Sequence, residues 1–562
     1  MPERVFIGVA WPYANGSLHL GHLAGCYLAA DIFARFNRLI GNEVLMVSGS
    51  DSHGTPITIR ADQEKVTPKE IADRFHNQFL ETWDQLGITF DLFTNTQTEN
   101  HQQAVHQIFK MLLNKGYIYP ATMELAHCSE CCRFLPDRYV EGTCPHCNQE
   151  RARGDQCDLC GRTLDPKDLV SPQCTLCGVA PTFQNSEHFF LKLSEFQQPL
   201  LDWANQQNHW RPNVANFTRS FLESGLKDRA ITRDLSWGVP VPVNGYDDKR
   251  IYVWFEAVIG YLSAAIEWAQ NSNQPDRWKD FWQDPETKSY YFIGKDNIPF
   301  HSIIWPAIIM GYGNDLNLPY DVPANEFLSL ENRKFSTSQN WAVWLPDYLD
   351  SYDPDPLRYL LSINMPESGD ADFSWAEFVR KNNEELVATY GNLVHRVLSF
   401  TYRNFSQVVP VPGPLTTADT LLLDAAQETM HQVSNSLSHT RFKVALSQAF
   451  SLAQETNRYL DAQAPWQTIK TDMQRTATIL NTSLKVLNCL KIILTPFLPF
   501  SSQCLHEYLG FDYKVDNDRW DFTYLVDAIT PGAHLEQPKP LFIKLDDQLI
   551  EQETAKLGLH NS

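Results

Sequence analysis

The segment Val9-Ala10-Trp11-Pro12-Tyr13-Ala14-Asn15-Gly16-Ser17-Leu18-His19-Leu20-Gly21-His22 constrains the chain most, because it joins an apolar run, a turn and a histidine pair in one short stretch. Residues 5–9 are apolar without alternation, the pattern of a strand buried on both faces of a parallel sheet. Asn15-Gly16-Ser17 breaks that strand and supplies capping residues for a helix that begins at His19. The order strand, turn, helix sets the helix's first N–H groups beside the strand's carboxyl end, where doubly wound sheets hold ligands and where phosphates bind. His19 and His22, three apart, share one helical face and can both reach phosphate oxygens. Gly21 between them leaves backbone open for a flat base.

At 562 residues the chain is too long for one core and should divide into about three or four units. Hydrophobic residues make up 43%, enough for each unit to bury a core. No apolar run approaches the ~18 residues of a membrane span, and the polar Met1-Pro2-Glu3-Arg4 opening is unlike a signal peptide. A cytoplasmic protein without a membrane segment is therefore expected. Nine of the 12 cysteines fall between Cys128 and Cys177, eight of them in C-x-x-C pairs with Cys132 left over, which suits metal ligation in a reducing compartment. The net charge of −21 by itself argues against a nucleic-acid partner. A local basic stripe on an acidic body is still compatible with selective RNA binding.

Up to about residue 117, short apolar runs (5–9, 44–47) alternate with amphipathic stretches (29–39, 68–86), the rhythm of a βαβ sheet. An insertion spanning 118–230 carries the cysteine pairs, and the sheet is expected to resume over 231–324, with residues 231–233, 251–255 and 290–293 as strand candidates. Residues 384–530 hold long stretches with apolar residues three and four apart (384–405, 417–437, 442–462, 473–497), which predicts a helix bundle. The tail, 531–562, ends in a short polar helix candidate at 550–557 that should pack back on the body. The fold class is thus α/β: a Rossmann-like, doubly wound parallel sheet interrupted by a zinc-knuckle insertion and followed by an α-helix bundle.

The histidine segment resembles the HIGH signature of class I aminoacyl-tRNA synthetases, with Leu20 for isoleucine, and its A-x-P-Y-A-N-G lead-in narrows the resemblance to the methionyl-tRNA synthetases. Gly49-Ser50-Asp51-Ser52-His53-Gly54-Thr55-Pro56, Tyr252-Val253-Trp254-Phe255-Glu256-Ala257, Gly294-Lys295-Asp296-Asn297 and Lys334-Phe335-Ser336-Thr337-Ser338 follow in the family's order. The resemblance spans nearly the whole chain. It implies ATP-dependent ligation of methionine to tRNA(Met), with Mg²⁺ accompanying ATP, and it makes 325–383 a stem-contact region bearing the K-M-S-K-S-like loop.

In such a reaction a carboxylate, already ionised, attacks the α-phosphate, so the protein works by positioning and charge stabilisation. The resemblance assigns His19, His22, Lys334 and Ser336 to catalysis, and His19, His22, Gly294, Asp296, Lys334 and Thr337 to ATP. Thr337 replaces the family's second loop lysine; it can still hydrogen-bond a phosphate oxygen, and Arg333, Lys334 or Lys295 can supply charge with Mg²⁺. A methionine site needs one acid and aromatic walls around a thioether. Asp51 is the candidate for the ammonium, and Trp254, Ala257 and Tyr261 share one helical face. By resemblance these line the pocket with Ala10, Trp11, Tyr13, Asn297 and His301; the Tyr261 hydroxyl and the Trp11 backbone N–H meet the sulfur, and Arg233 lies near the carboxylate. Val258 stands where many relatives have proline.

Four C-x-x-C pairs occur: Cys128/Cys131, Cys144/Cys147, Cys157/Cys160 and Cys174/Cys177. Two pairs complete a four-thiolate zinc site. The spacing favours Cys144, Cys147, Cys157 and Cys160 as the first, which leaves Cys128, Cys131, Cys174 and Cys177 for a probable second. The nested arrangement resembles family members with two knuckles. Four thiolates leave no open position, so the zinc is structural. The cysteine-specific synthetases, whose zinc binds substrate through an open position, fit less well. Asn392, Arg396, Pro465 and Trp466 are the residues by which the resemblance places anticodon recognition, with Trp466 as stacking partner. Some thirty residues past Pro531 are too few for an added oligonucleotide-binding barrel, so a monomer is expected. Thr337 alone speaks for a silent RNA-binding relative; His19, His22, Asp51, Trp254 and Lys334 speak against it.

Overall fold

The computed structural model describes residues 2–136, 139–154, 157, 159, 164–313 and 316–559. Five parallel strands, β1 (Arg4–Val9), β2 (Glu43–Ser50), β3 (Leu92–Asn95), β4 (Lys288–Gly294) and β5 (Ala324–Asn325), form the central sheet in the order β5-β4-β1-β2-β3. Side chains of β1 alternate between two cores. Val5, Ile7 and Val9 pack with Leu28, Ile32 and Phe33 of the Leu28–Leu39 helix, while Phe6 packs with Ile259 and Leu262 of the Val253–Asn271 helix. The order of connection reverses between β1 and β4, and the crevice at their carboxyl ends is where such sheets bind ligands.

Local sequence explains several boundaries. The Pro68–Leu86 helix opens on a reciprocal Thr67/Glu70 cap and stops at Gly87, whose φ of 69° is left-handed. Behind β1 the helix start differs from expectation. His19 itself is the cap, the helix begins at Leu20, and a π-helical turn at Leu23–Tyr27 follows, so Ser17 caps nothing there. The 231–233 and 251–255 candidates also differ. Thr232–Arg233 pairs antiparallel with Arg250–Ile251 outside the main sheet, and residues from Val253 on are helix. Their β-branched and aromatic residues favour a strand locally, but the segment continues as a 19-residue helix that is buried on most sides.

The insertion is carried on two antiparallel arms, Ile118–Cys128 and Thr182–Leu191, with a small sheet of Val140–Thr143, Ala152–Arg153 and Val170–Cys174 at their far end. The C-terminal helices Asn392–Asn404, Thr417–Ser438, Phe442–Gln463 and Met473–Leu494 pack as a bundle. Met473–Leu494 is, contrary to the sequence reading, long and apolar enough to cross a membrane, but 94% of its apolar window is buried among its neighbours. Where bundle and catalytic sheet meet, the fully buried Arg358 donates to the carbonyls of Leu86 (3.1 Å), Pro496 (2.9 Å) and Phe497 (2.9 Å) and to Asp31 (2.6 Å). Burial opposes charge on Asp31, yet Arg35 and Arg358 outweigh it and bring its pKa down to about 2. The tail helix Gln548–Lys556 lies against Trp375–Lys381.

Candidate active site

A cavity of about 1760 Å³ opens at the carboxyl ends of β1 and β4. At one end it is lined by His19, His22, Gly294, Asp296, Lys334 and Thr337, and at the other by Ala10, Trp11, Tyr13, Asp51, Trp254, Ala257, Tyr261, Asn297 and His301. Two expected residues lie outside the lining. Ser336 is one, and its backbone N–H donates to the Trp341 carbonyl at 3.0 Å within the loop. Arg233 donates to the carbonyls of Ala230 and Thr232 and lies 4.1 Å over the Tyr252 ring.

At the His19–His22 end the hydrogen-bond donors fix the histidine tautomers. His19 Nδ1 accepts from the Gly21 N–H (3.1 Å) and His22 Nδ1 accepts from the His19 N–H (3.1 Å). Backbone N–H can only donate, so each neutral ring carries its proton on Nε2. Burial holds both rings neutral: His19 is pushed well down, further by His22, and His22 falls to about 4. They offer N–H donors to an anion, not positive charge. Phe335 stacks on His19 at 4.7 Å with planes 7° apart. A side chain at Gly21 would meet His19 Cε1 at 2.9 Å, so this glycine makes room for an imidazole, not for a base. The open glycines of the cavity are Gly25 and Gly294, around which nothing lies within 4 Å of an added Cβ.

Of the three cations considered for the missing lysine, Lys295 is committed to Glu326 (2.7 Å) and Asp370 (2.9 Å), and Arg333 lies 4.0 Å over the Trp341 ring. Lys334 lines the cavity and has no ion-pair partner among the described residues.

At the other end Asp51 is 4% exposed and meets no cationic side chain among the described residues. Burial, and then the charge of Glu256, hold its pKa well above the carboxylate range. Trp11 is slotted between Gly49 and Gly260, where added Cβ atoms would meet its ring at 2.5 Å and 2.8 Å. Trp254 stacks on Phe300 at 4.1 Å, a wall residue that helical spacing within 254–261 could not reveal. His301 Nδ1 lies 2.9 Å from the Asn297 carbonyl, so Nδ1 is the protonated nitrogen and Nε2 accepts from the Tyr261 hydroxyl at 2.7 Å. The Tyr261 hydroxyl hydrogen is thus directed to His301. The rim also carries Arg60 and Arg151, the latter from the insertion.

In the insertion, Cys128, Cys131, Cys174 and Cys177 bring their sulfurs within 4.8 Å of one another, as do Cys144, Cys147 and Cys157; Cys160 lies outside the described residues. Tetrahedral zinc with ~2.3 Å bonds needs sulfurs about 3.8 Å apart. Cys131 and Cys174 are 3.9 Å apart and Cys147 and Cys157 3.6 Å, so the thiols fit such an ion.

The tRNA synthetases class I (M) family matches residues 5–398, and the anticodon binding domain of methionyl tRNA ligase matches residues 409–561. The methionine–tRNA ligase of Dehalococcoides mccartyi strain 195 is 55% identical over 100% of both chains, and that of Thermomicrobium roseum 51% identical over 99% of both. The chain belongs to the methionyl-tRNA synthetase family. The methionyl-tRNA synthetase of Mycobacterium tuberculosis bound by methionyl-adenylate is similar with a TM-score of 0.79 at 25% identity, over 97% of this chain and 100% of that one. As a member of this family, the protein is a methionine–tRNA ligase of class I.

In the synthetase's bundle, Asn392 is exposed, and the Arg396 guanidinium lies 4.9 Å over the Trp466 ring while donating to Asp461 at 2.8 Å. Trp466 is 37% exposed although Pro465 beside it is buried, which leaves an indole available to solvent.

Proposed function

We propose that the cavity's two ends divide the first step of the ligase reaction. Asp51 receives the methionine ammonium, and Trp254, Ala257, Tyr261, Phe300 and His301 enclose the side chain. The Nε2–H groups of His19 and His22, with the Lys334 ammonium, hold the triphosphate as the methionine carboxylate attacks the α-phosphorus and pyrophosphate leaves. The methionyl group then passes to the 3′ end of tRNA(Met). Mg²⁺ enters with ATP and offsets triphosphate charge. The observation that carries this reading is Asp51, a buried carboxylate with no cation beside it among the described residues, in the same cavity as two neutral histidine donors and Lys334, which has no ion-pair partner among them. Pyrophosphate exchange with a panel of amino acids tests it: methionine alone should support exchange, and His19→Ala and Lys334→Ala should each weaken ATP use.

Two structural zinc ions, in Cys128/Cys131/Cys174/Cys177 and in Cys144/Cys147/Cys157 with Cys160, would hold the insertion together without taking part in chemistry. Asn392, Arg396, Pro465 and Trp466 form the anticodon-reading surface, which we assign to a monomeric, cytoplasmic enzyme. The buried flanks of Met473–Leu494 accord with a body that needs no membrane.

A further inference from the structure

We propose that segment 548–559 is a positioning element for ATP: it straps the loop 334–341 in place and, through Trp344, sets the ring of His19. The inference rests on the assignment of that loop and of His19 to the triphosphate. The clasp centres on Asn340. Its backbone is left-handed (φ 49°), its side-chain carbonyl accepts from Trp344 Nε1 at 2.9 Å, and its amide donates to the Leu559 carbonyl. The Gly558 N–H returns to the Asn340 carbonyl at 3.0 Å. Upstream, Glu553 accepts from the Tyr352 hydroxyl at 2.7 Å, which pins the tail helix to the body.

From Asn340 the contacts continue without a gap. Trp344 meets the His19 ring edge-on at 5.9 Å and pairs with the His19 backbone as a single β-bridge. The Leu20 N–H donates to Val343 at 3.1 Å and the Leu345 N–H to Leu18 at 2.8 Å. Within the loop, the Trp341 N–H returns to the Ser336 carbonyl at 2.9 Å, and Trp341 Nε1 donates to Leu330 at 3.0 Å. Phe335 of the same loop covers the other side of His19.

This matters because Thr337 brings no charge to draw the loop onto a triphosphate. Ordering a free loop on binding subtracts from affinity, and a loop already held in its bound form avoids that loss. The tail therefore supplies by preorganisation part of what a second lysine would supply by attraction.

Asn340→Asp tests this with minimal change: aspartate tolerates the left-handed backbone and still accepts from Trp344, but sets an oxygen against the Leu559 carbonyl. Asn340→Gly, which keeps the backbone and removes both side-chain bonds, serves if the first variant folds poorly. In pyrophosphate exchange, KM for ATP should rise about tenfold, the size of one well-placed hydrogen bond, with KM for methionine and Tm unchanged. Adding Thr337→Lys to either variant should restore the ATP KM. An unchanged ATP KM, or an equal rise for both substrates with a lower Tm, overturns the proposal. If His19→Ala also leaves the ATP KM unchanged, the site assignment itself is what fails; if His19→Ala raises it while the Asn340 variants do not, only the strap fails.

Discussion

Asp51 and Glu256 are buried carboxylates that feel each other's charge, and only Glu256 has counter-groups. Burial raises the pKa of Glu256, but His53 at 2.9 Å and His101 at 3.7 Å outweigh it and keep Glu256 ionised. Among the described residues the Asp51 carboxylate accepts only the His53 backbone N–H, at 3.4 Å, and burial with the Glu256 charge keeps its pKa well above the usual carboxylate value. An arriving ammonium reverses this, so methionine binding should release a proton from Asp51. Calorimetry in two buffers of different ionisation enthalpy should detect that release, and affinity should fall as pH drops through the raised Asp51 pKa. Asp51→Asn should lose methionine activation by about 100-fold or more, the scale of removing one partner from a buried pair. Proton-neutral, pH-independent binding would remove Asp51 from the ammonium site.

The chain should be acid-labile. Burial lowers His22, His301 and His506 each to about 4, the last also through Lys491, so all three are neutral when folded near pH 6. Unfolded, each takes up a proton near its ordinary ~6.5. The unfolded state therefore binds more protons between these values, and stability present above about pH 6.5 is lost as pH falls toward 4. Melting temperature should drop over that window, and His506→Gln, remote from the cavity, should make the drop shallower. A melting temperature flat from pH 7 to 5 contradicts the assignment of these rings as buried and neutral.

Protein purified without chelators should hold close to two zinc ions by elemental analysis. Cys144→Ser should lower the count by one and leave the insertion open to proteolysis, since binding energy of a structural ion is folding energy. Absence of zinc in freshly purified protein would leave these thiols as no more than buried small side chains.

Trp466→Ala should weaken tRNA use by roughly 1–3 kcal/mol, the worth of one stacked base, and leave methionyl-adenylate formation unchanged. Equal loss in aminoacylation and in pyrophosphate exchange would mean that the indole supports the fold instead of reading RNA. Sedimentation of the same preparation should give the mass of one chain.

Much of the sheet was legible because its signals are local. Residues 5–9 announce a buried strand, and Thr67, Glu70 and Gly87 mark both ends of their helix. The loop cation was not legible: the sequence offers Arg333, Lys334 and Lys295 alike, and only tertiary pairing with Glu326 and Asp370 withdraws Lys295. Phe300, Gly25 and Arg151 escaped notice for a related reason, since each reaches the cavity from an element whose own periodicity says nothing of it. His19 as its own helix cap requires a histidine to do the work of serine or aspartate, which propensity does not favour.

Arg358 binds carbonyls from the end of a bundle helix and from the end of a sheet-domain helix with one rigid, planar group. A joint tied at those points resists a swing of the head against the bundle. On the roles proposed for Trp466 and Asp51, the gap between them would be set at folding like a caliper, and a tRNA's length and bend would have to match it.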